Sequence, residues 1–103
     1  MIKVALCDDI IDYNKKMESY IEKYGNENHV EVKITSYGSG SQLLLNYQKR
    51  KFDVIFLDVS MPEMDGFETA EEIRKSDTDV SIVFCTSYYT CLLYTSDAAD
   101  DKA

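Results

Sequence analysis

The stretch Ile55–Gly66, "IFLDVSMPEMDG", decides the fold. With Val54 it opens on an apolar run, and "FDVIFLD" reads as the central strand of a sheet covered on both faces. Asp58 then places a carboxylate at the tip of a segment that otherwise calls for burial. Beyond it, Pro62 stiffens the turn, and Gly66 is expected to permit the backbone conformation that leads into the next helix. Asp65 with Glu68 marks that helix start, and Phe67, Ala70, Ile73 and Arg74 continue it.

Working outward, "IKVALC" (Ile2–Cys7) is a second mostly apolar run, bounded by Asp8 and Asp9. Ile10, Tyr13, Met17, Ile21 and Tyr24 then recur at three- and four-residue steps, one face of a helix that Gly25 is expected to stop. In "HVEVKITSYG", Val30, Val32 and Ile34 alternate with Glu31, Lys33 and Thr35, which predicts a strand at a sheet edge. Ser39 with Gln42 has capping-box spacing, and Leu43, Leu44 and Tyr47 give a short helix face. "DVSIVFCT" (Asp79–Thr86) is a fourth strand. The order βαβαβαβ implies parallel pairing, right-handed crossovers and helices on both faces.

In such sheets the functional crevice lies beyond the carboxyl ends of the strands. Asp8 and Asp9 follow the first strand, Asp58 ends the third, and Thr86 and Ser87 end the fourth. Three carboxylates brought together repel one another unless a cation sits among them. A hard divalent cation with oxygen ligands, Mg²⁺ first, satisfies all three, and the Thr86 hydroxyl completes the group. An acidic pair at a helix start also serves as cap and dipole partner, so Asp8-Asp9 alone would not define a site.

Bulk properties narrow the function classes. The chain has 103 residues, enough for one domain, and 45% of them are apolar. Its apolar runs are far shorter than a membrane span, and "MIKVALC" leads straight into acids without a secretory pattern. A formal net charge of −8 opposes direct nucleic-acid binding and favours a bound cation or a cationic partner surface. The three cysteines form no C-x-x-C pair; Cys7 and Cys85 read as buried thiols in a reducing cytosol. His29, the only histidine, reads as a solvated turn residue, and no Ser-His-Asp or Cys-His arrangement can be built around it. "YGSGSQ" lacks the third glycine and the Lys-Ser/Thr of a P-loop, so it reads as a turn and helix cap.

"CDD", "FDVIFLDVSMPEMDGFE" and "IVFCTS", in this order and spacing, resemble the response-regulator receiver domain of bacterial two-component signalling. The resemblance covers about Met1 to Tyr89. "ALCDD" and "YGSGSQLL" look most like receivers that precede a LytTR-type DNA-binding domain. It implies a flavodoxin-like (CheY-like) α/β fold, a doubly wound parallel sheet. It implies a cytoplasmic, non-enzymatic phosphoacceptor that takes a phosphoryl group from a histidine kinase and controls transcription through a separate DNA-binding domain, with homodimerisation open. Asp58 would be the phosphoacceptor and Thr86 the switch hydroxyl. Asp9 would ligate Mg²⁺ directly and Asp8 largely through water, with the Ser60 main-chain carbonyl as a further ligand.

The chain departs from that pattern after "TSYY". A fourth helix, a fifth strand with Lys-Pro and a fifth helix are expected there, but the chain reads "CLLYTSDAADDKA", which resembles translated library-adapter sequence. Residues 1–90 are therefore expected to be a truncated receiver and 91–103 a tail outside the family, with a divergent natural tail as the alternative. The sheet is expected to be incomplete, in order 2-1-3-4 with the fifth βα unit missing. Strand four would then be an edge, its Val80, Ile82, Val83 and Phe84 an aggregation hazard and the chain poorly stable. Lys102 has no context that would make it the missing fifth-strand lysine. Two other functions stay open. One is a receiver-like interaction module that never takes phosphate. The other is an aspartyl-nucleophile phosphatase, although Ser60 stands where that chemistry wants a second acid.

Overall fold

A computed structural model describes residues 1–87 and 90–94. The expectations for Tyr88, Tyr89 and residues 95–103, Lys102 included, lie outside them. The elements run β1 (Ile2–Cys7), α1 (Ile11–Glu27), β2 (Val32–Tyr37), α2 (Gly40–Leu44), β3 (Val54–Asp58), α3 (Gly66–Ser76), β4 (Ser81–Ser87) and β5 (Thr90–Tyr94).

The sheet order is β2-β1-β3-β4-β5, and the first four strands pair in parallel. β2, with its polar alternate face, is an edge, and β3 is central. One expectation fails: β4 is not an edge. β5 pairs with it antiparallel, with Ile82 opposite Tyr94 and Phe84 opposite Leu92. This pairing gives β4's outer backbone groups partners that a truncated sheet would leave open. It also sets Cys91 opposite Cys85 in register. Cys85 is disulfide-bonded and Cys7 free, so the expectation of a reduced, buried thiol holds for Cys7 alone.

Alternation along the strands sends two sets of side chains to opposite faces. Ala5, Cys7, Ile55, Leu57, Ile82 and Phe84 form a buried core with Leu43 of α2 and Ala70 and Ile73 of α3. The other face carries Val4, Val54 and Phe56 and meets α1 through Tyr20 and Ile21, beside an apolar groove of about 280 Å³. α1 is packed mainly over β1 and β2. Ile10 and Tyr24, expected on its inner face, are 45% and 57% exposed because that helix reaches only half of the sheet.

Three local expectations need refinement. α1 runs through Gly25 and ends at Glu27, and His29 follows in the left-handed region at φ 56. Gly25 is needed for proximity: a Cβ there would lie 2.7 Å from the Val30 carbonyl oxygen. At α2, Ser39 Oγ accepts from Gln42 N as expected, but Gln42 Oε1 accepts from Gly38 N, one residue short of a reciprocal box. The reciprocal box forms at α3, between Asp65 and Glu68.

Candidate metal centre

Asp8 and Asp9 leave the carboxyl end of β1, and Asp58 is the last residue of β3. A carboxylate oxygen from each lies within 4.8 Å of the other two. Asp8 and Asp58 are half-buried and Asp9 is exposed, so the cluster forms a mouth rather than an internal cavity. Thr86 is exposed on β4, one residue past Cys85, the register partner of Asp58. Ser60 is exposed, and its main-chain N–H donates to the Asp58 carboxylate, as does that of Val59.

The loop from β3 to α3 holds this arrangement. Val59 N donates to Cys85 O at 3.2 Å, and Gly66 N donates back to Val59 O at 3.2 Å. The expected reason for Gly66 is corrected here, because no glycine among the described residues has positive φ. Instead, a Cβ on Gly66 would collide with the carbonyl oxygen of Asp58 and sit 2.9 Å from Val59 Cα. Gly66 is the residue that lets α3 begin directly against the end of β3.

Electrostatics explain what the cluster lacks. Burial raises the Asp8 carboxyl to about 6, the charges of Asp58 and Asp9 add to the rise, and an N–H···O bond from Ile10 at 2.9 Å opposes it. Burial and then Asp9 raise Asp58, against the Ser60 and Val59 N–H groups. Cys7, directly behind, is pushed up to about 12 by burial and then by Asp8, Asp58 and Asp9, so it stays a thiol and meets Met61 Sδ at 3.8 Å. The donor set is all hard oxygen, and among the described residues no cation shifts Asp8 or Asp58. Both properties fit Mg²⁺.

Two polar residues escaped the sequence reading. Asn14, 8% exposed, stands four residues after Ile10 on the inner side of α1, where its Nδ2 donates to the carbonyls of Asp8 and Tyr37. Its signal was a polar residue at a helix position whose period calls for an apolar one. Asp77, 1% exposed, closes the C-terminus of α3 and had no periodic signal at all.

The chain is similar to known proteins over most of its length. The family model described as the response regulator receiver domain matches residues 4–101. The response regulator receiver protein CpdR of Brucella abortus is 29% identical over 102 residues, covering 98% of this chain and 80% of that protein. The sensory transduction protein LytT of Oceanobacillus iheyensis is 46% identical over 52 residues, but these are 48% of this chain and 21% of that protein. Among solved structures, the receiver domain of the Arabidopsis thaliana histidine kinase CKI1 complexed with Mg²⁺ gives a TM-score of 0.61 at 31% identity. That match covers 72% of this chain and 57% of that one. The complex of the histidine kinase ThkA with the response regulator TrrA gives a TM-score of 0.65 at 25% identity, covering 82% of this chain and 67% of that one. No helix among the described residues is long and apolar enough to cross a membrane. A family match of this extent, on a parallel sheet whose carboxyl edge gathers the acids, leads to one conclusion: the chain belongs to the response regulator receiver domain family, the regulatory receivers of two-component systems.

Proposed function

We propose that the acidic pocket is a phosphoacceptor site served by a histidine kinase. The observation that carries this is the approach of Asp8, Asp9 and Asp58 oxygens to within 4.8 Å at the sheet's carboxyl edge. A carboxylate oxygen of Asp58 attacks the phosphorus of a phosphohistidine; the P–N bond breaks, the imidazole nitrogen leaves with its electron pair, and an acyl phosphate remains on Asp58. Asp9, Asp58 and the main-chain carbonyl of Ser60 would hold Mg²⁺, with Asp8 acting through water, and the bound ion would supply positive charge to offset the phosphoryl oxygens. Positioning and charge do most of the work, because a phosphoryl transfer asks little covalent chemistry of the protein. The new dianionic group then offers acceptor oxygens, and the Thr86 hydroxyl donates to one of them, biasing the β4 surface.

The kinase partner and the ion are supported by the ThkA–TrrA complex and the Mg²⁺-bound CKI1 receiver, each of which is a separate protein. LytT, alike over 48% of this chain, supports a role in sensory transduction, and control of transcription through a separate DNA-binding domain belongs to the same proposal. Homodimerisation belongs to the same proposal.

The test is incubation with a small-molecule phosphodonor and Mg²⁺. A mass gain of one phosphoryl group, lost in Asp58→Asn, is the expected result. One observation favours a second reading: among the described residues, the side chains acting on the Asp58 carboxyl are acidic, and no cation offsets them. With no lysine among the described residues acting on Asp58, a folded sample that takes no phosphate would be an interaction module. Steady hydrolysis of phosphate esters would instead identify an aspartyl phosphatase.

A further inference from the structure

We infer that Asn14 is a positioning residue for the acidic pocket, its side-chain amide fixing the Asp8–Asp9 peptide so that both acids face Asp58. The inference rests on the metal reading above and deepens it. Asn14 lies inside α1, where asparagine is a poorer helix former than Lys15, Lys16 and Met17 that follow it. It is also 8% exposed, so its amide must be hydrogen-bonded or destabilise the fold. A leucine would suit the apolar stripe at no such cost. The amide's bonds account for its presence.

Nδ2 donates to Tyr37 O at 3.0 Å and to Asp8 O at 3.2 Å. Both hydrogens of one amide nitrogen are thus committed to two different strands' ends. Tyr37 O also accepts from Asp8 N at 3.2 Å. Asp8 is therefore held on both its N–H and its C=O, and the C=O belongs to the peptide that joins Asp8 to Asp9. Fixing that peptide plane fixes the direction in which the Asp9 side chain leaves the backbone, which no bond to Asp9 itself need do. A cavity of about 20 Å³, room for one water, lies beneath, lined by Asn14, Asp8, Asp58 and Cys7 among others. Truncating Asn14 would widen that cavity, so the informative substitution nearly keeps the volume and removes the amide.

Groups that orient metal ligands without touching the metal are worth about 10–100-fold in affinity. Asn14→Leu is therefore expected to weaken Mg²⁺ binding at least about tenfold, measured by titration at 25 °C on protein shown to be folded by circular dichroism. A purely structural residue would lower the melting temperature and leave the affinity of the folded protein unchanged. That result, with wild-type binding intact, overturns the inference alone; a folded wild-type protein with no Mg²⁺ affinity overturns the metal reading with it. A second measurement needs no variant. In the metal-free wild-type protein, the Asn14 side-chain amide protons and the Asp8 N–H are expected to exchange slowly with solvent. Free exchange of the Asn14 amide protons would equally overturn the inference.

Discussion

Asp77 shows how much one buried carboxylate can organise. Burial alone would raise its pKa, yet the net shift is downward, because Tyr47 Oη donates to Oδ2 at 2.9 Å and the N–H groups of Asp79 and Val80 donate to Oδ1 at 3.1 and 3.2 Å. These bonds tie the end of α3 to the loop that enters β4. A folded-state pKa below the unfolded value means that the unfolded chain takes up the proton first. The stabilisation is therefore complete above the ordinary carboxyl value of about 4 and drains away as pH falls through the lowered folded value. Asp77→Asn keeps the shape, and its Oδ1 can still accept from the two N–H groups, but it loses the charge and turns an NH₂ toward Tyr47 Oη, and is expected to cost about 1–3 kcal/mol at pH 7. Its urea midpoint should also fall less steeply than that of the wild type below pH 4; parallel acid limbs would show that Asp77 is not the titrating group. At this scale the sequence was legible where chemistry repeats a pattern. Asp8, Asp9 and Asp58 declared themselves by ending apolar runs, whereas Asp77 and Asn14 take their meaning from partners that only tertiary contact supplies.

Elements meet through backbone as well as side chains, and two glycines separate the two roles. Gly25 lets the end of α1 approach Val30, and Gly66 lets the start of α3 approach Asp58. Neither has positive φ, so the cost of a methyl group at each is steric. Gly25→Ala and Gly66→Ala should both destabilise, each by roughly 1–3 kcal/mol. Only Gly66→Ala should also weaken Mg²⁺ binding in the folded protein, because its collision is with the peptide that carries the acceptor. Equal metal affinity in the two variants would count against the loop's role in placing Asp58. The parallel core was readable from four apolar runs and the helices between them. The cover on β4 was not, because "TCLLY" carries no period-two alternation of its own, and its strand form goes with an edge that needs a partner. Tertiary demand overrode local pattern there, as it did at Gly25.

The whole molecule carries a net charge of −8 and concentrates three carboxylates at one edge of its sheet. In the metal-free protein that concentration opposes folding. The Asp8 carboxyl, raised to about 6 by burial and by its acidic neighbours, binds a proton in the folded state at pH values where the unfolded chain has released it. Stability must then fall as pH rises from about 4 to 6 and level off above, the reverse of the Asp77 limb. The melting temperature of the metal-free chain is accordingly expected to peak in mildly acid solution and to be lower at pH 7.5. Asp58→Asn removes one of the repelling charges, and should raise the metal-free melting temperature at pH 7.5 while abolishing any response to Mg²⁺. In the wild type, a cation that binds only the folded pocket adds RT ln(1 + [Mg²⁺]/Kd), so millimolar Mg²⁺ should raise the pH 7.5 value most and flatten the profile. Competition with the Asp8 proton should make the same addition nearly ineffective at pH 5. Sodium chloride at matched ionic strength screens the repulsion without filling the pocket, and should recover only part of the gain. A Mg²⁺ effect no larger than that of the matched salt, or equal in Asp58→Asn, would mean that the acids share a neighbourhood but not an ion.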